Sequence, residues 1–538
     1  MKFSAAKSKL PSLLNSVLAL ISAILLTLSF PDFDFWFLAW FALIPLFIAV
    51  EREKESVIKS FVLGWIFGIC FFFGTCWWLT FAPITYGGVP FFLAYLLLFL
   101  ANLLVGLFPT IFAAIFSVFL KRFGTYAILS APFLWTAAEF LRFNLTGNSW
   151  NAIGYSQAFQ PRLIELANVG GVYLVGFIIV LFNTYLIFLL TKIILPTKPA
   201  AVQKWKDWLV LGLIFSFITL LIVIFEPIGA KQSANSIQTA EIIAVQPNVP
   251  MSGLDNFKWE RLRQRHVELA ENALNKGQRT KDKGQNTIVI FPESPMNFMY
   301  EDDREFQTFI RDFAVRNNVS VLFNSAQPNL GGDNFYNSAV MIDAQGNKVG
   351  QYDKIHLVPF GEYVPMPEPL AQFVPTMVGN FQYGDKYDLM PFGDAKGGIM
   401  ICFESHFASL SREFARRGAD VLIELTNDGY LGDTPILRQH LANAVFRAVE
   451  TNRPVLRVTN VGITAYINER GEVLDAAKPY TEDVRVWTIS KSDGSQTFYV
   501  KYGDWFAWLC SIVSLGLLFG TLWKSKINGK NDAEKFSS

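Results

Sequence analysis

Three polar sites follow or interrupt apolar runs in the second half of the chain, and each supplies a different chemical type. "FPES" carries a carboxylate, Glu293; "YDKIHLVPFGEYVP" carries an ammonium, Lys354, and a further acid, Glu362; "ICFES" carries a thiol, Cys402, followed by Glu404. A thiol with a pKa near 8.5 is a few per cent thiolate at neutral pH, so as a nucleophile it gains from an adjacent base. A carboxylate can take that proton and return it to a leaving group, typically contributing ~10²–10⁴-fold. An ammonium about 4 Å away stabilises a thiolate or oxyanion by roughly 4 kcal/mol at an effective dielectric of about 20, before desolvation. Glu, Lys and Cys therefore form a coherent acyl-transfer set. Each also has a plainer reading: Glu293 as a strand-end ion-pair partner, Lys354 as a surface charge, Cys402 as a small apolar residue buried on a strand. Sequence alone does not bring the three together.

The elements that would position them are short β runs alternating with amphipathic helices. "TAEIIAVQPNV", "TIVIFPES", "VSVLFNSA", "YNSAVMID", "GGIMICFE", "DVLIELTN", "RPVLRVTN" and "GITAYI" read as strands, most of them rich in Val and Ile and bounded by Gly, Pro, Asn or Asp. Helices are predicted over 256–275, 303–317, 405–418 and 436–452, the third with Phe407, Leu410 and Phe414 on one face. Such alternation argues for a layered α/β domain with its sheets sandwiched between helices. Residues 276–286, "KGQRTKDKGQN", read as an exposed loop. A strand that delivers Cys402 to a helix start would favour the thiolate and offer backbone N–H groups to an oxyanion.

The rest of the chain is far more apolar. Of 538 residues 52% are hydrophobic, and mean hydropathy is +0.31. At about 20 apolar residues per helical crossing of a bilayer, eight spans are predicted, at 12–30, 36–50, 60–81, 90–119, 125–143, 166–194, 207–226 and 505–523. Lysines and arginines cluster in alternate loops: Lys2, Lys7 and Lys9; Arg52, Lys54 and Lys59; Lys121 and Arg122; Lys192, Lys198, Lys204 and Lys206; and Lys524, Lys526, Lys530 and Lys535. The loops "PDFDF" and "APITYGGVP" have none, and 144–165 has only Arg162. This bias predicts both termini in the cytoplasm and the α/β domain outside it. Three units follow: 1–227 with seven spans, an extracytoplasmic domain over 228–503, and 504–538 with the eighth span and a cytoplasmic tail.

That placement bears on the thiol. Cys70, Cys76 and Cys510 lie in apolar segments, which leaves Cys402 alone in a compartment where thiols tend to be oxidised, with no partner for a disulfide within its domain. A net charge of +1 without a basic stripe gives no sign of nucleic-acid binding. His266, His356, His406 and His440 are scattered without paired ligand spacing, so no metal site is predicted. No phosphate-cradling glycine loop is present, and no cofactor is called for.

"FPES", "KIHLVPFGEYVP" and "ICFES", in this order, resemble the carbon–nitrogen hydrolase (nitrilase) superfamily. With the eight spans, "GNSWNAIGYSQ" (147–157), "RPVLRVTNVGITA" and the single closing span, the whole chain resembles the bacterial apolipoprotein N-acyltransferase family. The resemblance implies an αββα sandwich in the outer domain, with Glu293 as proton acceptor, Lys354 as electrostatic stabiliser and Cys402 as nucleophile. It also implies supporting roles for Glu362, Glu404 and Asn337 ("FYNS"), and substrate contacts at Trp259 ("FKWE"), Tyr430 and Leu431. The family commonly has Trp-Phe where "NDGYLGD" has Tyr430 and Leu431, and Tyr where Phe403 follows the thiol. The implied reaction moves an acyl chain from a phospholipid, often phosphatidylethanolamine, through a Cys402 thioester to the α-amine of a diacylated apolipoprotein. Its implied setting is a monomer in the bacterial inner membrane. Two rival readings are a membrane-tethered amidase, for which one span would suffice, and a transporter or sensor with a ligand-binding outer domain. The latter would place paired charges or broken helices at mid-membrane, where the sequence has few ionisable residues.

Overall fold

The computed structural model describes residues 9–191, 212, 238–252, 256–275, 286–293, 299–329, 334–365 and 381–535. Two sheets organise the C-terminal half. The first runs β13 (Asp483–Ser490), β1 (Gln238–Gln246), β2 (Asn286–Ile290), β3 (Ser320–Pro328), β4 (Phe335–Ile342), β5 (Lys348–Asp353), with β6 (Phe381–Gln382) also paired to β4. The second runs β12 (Val473–Leu474), β11 (Ala465–Ile467), β10 (Val455–Thr459), β9 (Val421–Thr426), β8 (Ala395–Ile401), β7 (Leu389–Phe392).

Both faces of the central strands are buried, and alternation assigns each face a partner. Along β1, Ile242 and Ala244 join the core shared by the two sheets, whereas Ile243 and Val245 pack outward with Val267, Phe306, Ile310 and Phe313 of helices Asn256–Asn275 and Arg304–Asn317. Helices Ala408–Arg416 and Ile436–Thr451 cover the second sheet through Leu410, Phe414, Leu441 and Val445. The layers are thus α-β-β-α, with parallel pairing at β1–β2–β3 and at β8–β9–β10. Parallel strands covered on both faces read as near-continuous apolar runs, which is why these were visible in sequence. The peripheral strands were not: β5 and β13 are half-buried and more polar, and β7 and β12 are only 4 and 2 residues long.

In the N-terminal half, the described stretches long and apolar enough to cross a membrane are Val57–Thr85, Phe91–Thr146 and Ala167–Leu189; Trp505–Trp523 is a fourth, and Leu13–Leu28 is a shorter apolar helix. The span expected at 36–50 is two short pieces instead, a 3-10 turn Trp36–Trp40 and a helix Ile44–Arg52. The long run expected at 90–119 breaks at Gly106, between helices Phe91–Val105 and Leu107–Phe123. A backbone crossing explains the break: a Cβ on Gly68 would lie 2.8 Å from the Gly106 Cα, and one on Gly64 would lie 2.7 Å from the Pro109 carbonyl oxygen. Gly64 and Gly68 form the small-xxx-small spacing that lets helices approach this closely. The span expected at 207–226 lies, except for Gly212, outside the described residues, as does the linker before β1.

Candidate active site

Cys402 leaves β8 in the left-handed region, at φ +52°. For a residue with a side chain this costs on the order of 1–3 kcal/mol and persists only where the surroundings enforce it. Glu404 does part of that, accepting the N–H of Ile401 at 2.8 Å, and the Cys402 carbonyl oxygen lies 3.0 Å from His440 Nε2. Because Glu404 turns back onto the strand end, the chain winds into a five-residue 3-10 turn, Cys402–His406, and the α-helix starts only at Ala408. The expectation of an α-helix N-terminus facing the thiol is corrected accordingly. Burial pushes the thiol well above its usual value and the Glu293 charge adds to this, with Lys354 opposing both. The resting group is therefore a thiol.

Glu293, just beyond β2, is the carboxylate on the thiol's side of the site. The Cys402 thiol is near enough to help lower its pKa, Asn337 Nδ2 donates to Oε1 at 3.0 Å, and the backbone N–H of Asn427 donates to Oε2 at 3.2 Å. Burial raises its pKa, Lys354 lowers it and Glu362 raises it again, for a net rise. Lys354 follows β5 and is 1% exposed, with Nζ 2.9 Å from Glu362 and 3.7 Å from Glu293. Burial alone would depress its pKa; the Glu362 and Glu293 charges outweigh burial and hold it up as an ammonium. Glu362 also accepts from Asn337 Nδ2 at 2.6 Å and from the Val358 N–H at 2.8 Å. Asn337 itself is oriented by Asn324, whose Nδ2 donates to its Oδ1 at 2.7 Å.

Glu404 stands one step back. It accepts the Tyr352 hydroxyl (2.8 Å) and the N–H groups of Ile355 (2.7 Å) and His356 (3.0 Å) in addition to Ile401, so it pins the loop after Lys354 to the strand that carries Cys402. Burial pushes its pKa up to about 7 against these donated hydrogen bonds. Tyr430 is close enough for Glu293 and Cys402, after burial, to raise its pKa to about 12. Leu431 packs against an apolar cluster of Cys76, Trp78, Trp150, Ile436 and Leu437. Trp259 lies in helix Asn256–Asn275, and its side chain is outside the described part of the structure.

Sequence reasoning missed the charged cluster beneath the thiol. Glu424 on β9 and Asp428 after it flank Arg457 of β10, at 2.6 Å to Glu424 and 2.7 Å to Asp428, and His440 Nδ1 lies 2.7 Å from Asp428. The signal was available: one acid inside "VLIELT" and one arginine inside "VLRVT" stand alone in buried strands, where an unpaired charge is prohibitive.

A family model for the apolipoprotein N-acyltransferase N-terminal domain matches residues 22–185, and one for carbon-nitrogen hydrolase matches 243–499. The apolipoprotein N-acyltransferase of Geobacter metallireducens is 30% identical over 499 residues, 92% of each chain. The chain belongs to the apolipoprotein N-acyltransferase family. Relatives of the same name from Thermotoga maritima (30% identity, 94% of each chain) and Treponema denticola (29%, covering 93% of this chain and 95% of that one) span similar lengths.

Both family segments meet at helix Ile436–Thr451. Gln439 Oε1 accepts the indole N–H groups of Trp78 (3.1 Å) and Trp150 (2.9 Å), and its Nε2 donates to the carbonyls of Pro31 (3.2 Å) and Thr75 (3.0 Å). Trp150 belongs to the "GNSWNAIGYSQ" loop, whose Ser149 N–H donates to His406 Nε2 at 3.0 Å. Phe403, next to the thiol, stacks on His406 and Trp150 with ring centroids 5.3 and 6.4 Å away. On the opposite flank the Tyr86 hydroxyl donates to the Gly429 carbonyl (3.3 Å), and its ring meets Tyr430 edge-on at 6.1 Å. Cys402 thus sits at the seam between the apolar helices and the α/β half.

Proposed function

We propose that this chain N-acylates lipoproteins by a two-step transfer through Cys402, with Glu293 as the proton shuttle and Lys354 as the charge that steadies the oxyanion. The observation that carries the reading is the meeting of thiol, carboxylate and buried ammonium where the catalytic fold joins apolar helices. In the first half-reaction Glu293 takes the thiol proton, and sulfur attacks the ester carbonyl of a phospholipid, by resemblance the sn-1 chain of phosphatidylethanolamine. The resulting oxyanion lies against the Lys354 ammonium. Collapse breaks the ester C–O bond, Glu293 returns its proton to the glycerol oxygen, and lysophospholipid leaves. In the second half-reaction the α-amine of a diacylated lipoprotein attacks the thioester. Glu293 takes the amine proton, the C–S bond breaks, and the proton returns to sulfur.

The same reading makes 1–227 a membrane domain, 228–503 an extracytoplasmic catalytic domain, and 504–538 a closing span and cytoplasmic tail of an inner-membrane monomer. Trp259, Tyr430 and Leu431 would contact substrate; Asn337, Glu362 and Glu404 hold the triad. Charge distribution supports the orientation. Ser12, Glu53, Lys59, Glu55 and Lys121 pair at one end of the helices, while Pro31, Thr75 and Trp78, near the other ends of the same helices, meet the catalytic half. Basic loops therefore gather away from the α/β layers, as a cytoplasmic face requires.

Purified protein given phospholipid alone should gain the mass of one acyl chain on the Cys402 peptide, cleavable by neutral hydroxylamine, with lysophospholipid released. A diacylated lipopeptide with a free α-amine should discharge it into triacylated product, and an N-blocked one should not. Release of free fatty acid without need of the amine would make the chain a hydrolase, and no mass gain under single-turnover conditions would end the thioester mechanism. A periplasmic reporter fused after residue 240 should be active and one fused at Ser538 silent.

A further inference from the structure

The Cys402 carbonyl and the Glu293 carboxylate are held from below by one connected set of side chains. His440, on helix Ile436–Thr451, reaches the Cys402 carbonyl oxygen with Nε2 (3.0 Å) and Asp428 Oδ1 with Nδ1 (2.7 Å). Asp428 belongs to the turn after β9, directly beyond Asn427, whose backbone N–H donates to Glu293 Oε2 at 3.2 Å. One imidazole therefore bridges the strand end that carries the nucleophile and the turn that holds the base. We propose that His440 is a positioning residue for acyl transfer, a strut that sets the spacing between Cys402 and Glu293; this rests on the Cys402 thioester reading above.

A strut of this form needs both ring nitrogens as donors, because a carbonyl oxygen and a carboxylate oxygen both accept. Only the imidazolium offers two N–H groups. The groups facing it favour that form. Glu424 Oε1 on β9 lies 3.1 Å from Nε2 and Asp428 lies at Nδ1; among the described residues the guanidinium there is Arg457 of β10, matched by these acids at 2.6 and 2.7 Å and with Nη2 3.3 Å from Nδ1. Two carboxylates against one guanidinium leave one negative charge for His440 to neutralise. From the turn after β8 come Cys402 and His406, the latter held neutral by burial and by nearby cations; from the N-terminal half comes the Trp150 ring, 6.0 Å away. Burial and Arg457 work against protonation, yet Asp428 and Glu424 prevail and raise the His440 pKa to about 9. Deprotonation would strip one end of the strut of its donor, leaving the left-handed Cys402 or the Asn427 turn without its tie.

The test measures the single-turnover rate of acyl-adduct formation on Cys402 by intact mass. Full-length protein in nanodiscs is used, from pH 6 to 10, with phosphatidylethanolamine as donor. Wild type should lose rate as pH rises through about 9. His440→Ala should acylate ten- to a hundredfold more slowly at pH 7 with the donor KM unchanged, the signature of a group that acts on the chemical step. His440→Gln keeps a donor but no titrating charge, so it should recover part of the rate and lack the alkaline fall. Asp428→Asn keeps the shape but removes the charge that holds the proton, and should move the alkaline fall about one pH unit or more downward. A His440→Gln protein that keeps the wild-type alkaline fall would overturn the strut, as would an unmoved fall in Asp428→Asn or a His440→Ala protein at wild-type rate. Absence of any Cys402 adduct in wild type would instead overturn the thioester reading, so the two failures are distinct.

Discussion

Among the described residues, replacing Lys354 by Met removes the only cation in contact with two buried carboxylates, Glu362 at 2.9 Å and Glu293 at 3.7 Å. At an effective dielectric of about 20, a unit charge at 3.7 Å favours the ionised Glu293 by roughly 4–5 kcal/mol. Halving this for relaxation and water that follows the shorter side chain leaves about 2 kcal/mol, or roughly 1.5 pKa units. Glu293 is already raised by burial, and it must be ionised to take the thiol proton. Activity is therefore lost as pH falls through its pKa, and raising that pKa moves the acid limb to higher pH. Lys354→Met should shift the acid limb of thioester formation upward by about one to two units and, with oxyanion stabilisation also gone, lower the plateau by ~10²–10³. Lys354→Arg separates charge from shape. It keeps the cation, so the limb should stay, but a planar fork is a poor substitute in a pocket fitted to an ammonium, so the plateau should fall. Single-turnover acylation followed by intact mass between pH 5 and 9 reads both quantities. A Lys354→Met protein within tenfold of wild type and with an unmoved acid limb would refute the electrostatic assignment.

Glu293→Gln preserves the contact with Asn337 but cannot accept a proton, so thioester formation should drop by ~10² or more while unfolding behaviour stays near wild type; near-normal maturation would remove Glu293 from the mechanism. Cys402→Ala should abolish the adduct and leave a folded protein, as judged by mass and by size-exclusion profile. Glu404→Ala leaves the Tyr352 hydroxyl and the Ile355, His356 and Ile401 N–H groups without their acceptor. At about 1–3 kcal/mol for each buried donor, partly recovered by water, a loss of about 3–5 kcal/mol is expected in denaturant titration. Gln439→Leu should cost about 1–3 kcal/mol by orphaning the Trp150 indole and the Pro31 carbonyl, since the Trp78 indole still donates to the Thr75 carbonyl at 3.0 Å, seen as a lower thermal midpoint in detergent; an unchanged midpoint would mean that the seam is held elsewhere.

What sequence conveyed depended on how local each cause was. The runs ending in Glu293 and Cys402 were legible because buried parallel strands are apolar throughout, and a polar residue at their end stands out. Helices Asn256–Asn275, Arg304–Asn317 and Ile436–Thr451 matched their periodicity to within a residue or so. The start of the helix after Cys402 was misread because Glu404 folds back on Ile401, a side-chain contact that no propensity encodes. His440 went unassigned since its partners lie on two strand ends brought together only by the fold. The break at Gly106 needed knowledge of Gly64 and Gly68 on a neighbouring helix. A supporting role for Asn337 came from resemblance alone; in the structure its Nδ2 lies 3.0 Å from Glu293 and 2.6 Å from Glu362, which itself lies 2.9 Å from Lys354.

A single amide, that of Gln439, gathers two indoles and two carbonyls from the ends of separate apolar segments, one residue before His440. In a bilayer such a fastening turns altitude into a constant. Under the proposed thioester mechanism the sulfur would then be held at one height, and the glycerolipid would have to reach it. Which of two ester carbonyls reacts then becomes a question of stature, settled by how far each stands above the hydrocarbon, with no need for a cleft that reads the chain itself. Discrimination of that kind tolerates many fatty acids and is sensitive to bilayer thickness: nanodiscs of shorter or longer lipids should change the ratio of the two lysophospholipid isomers released, even where the overall rate barely moves.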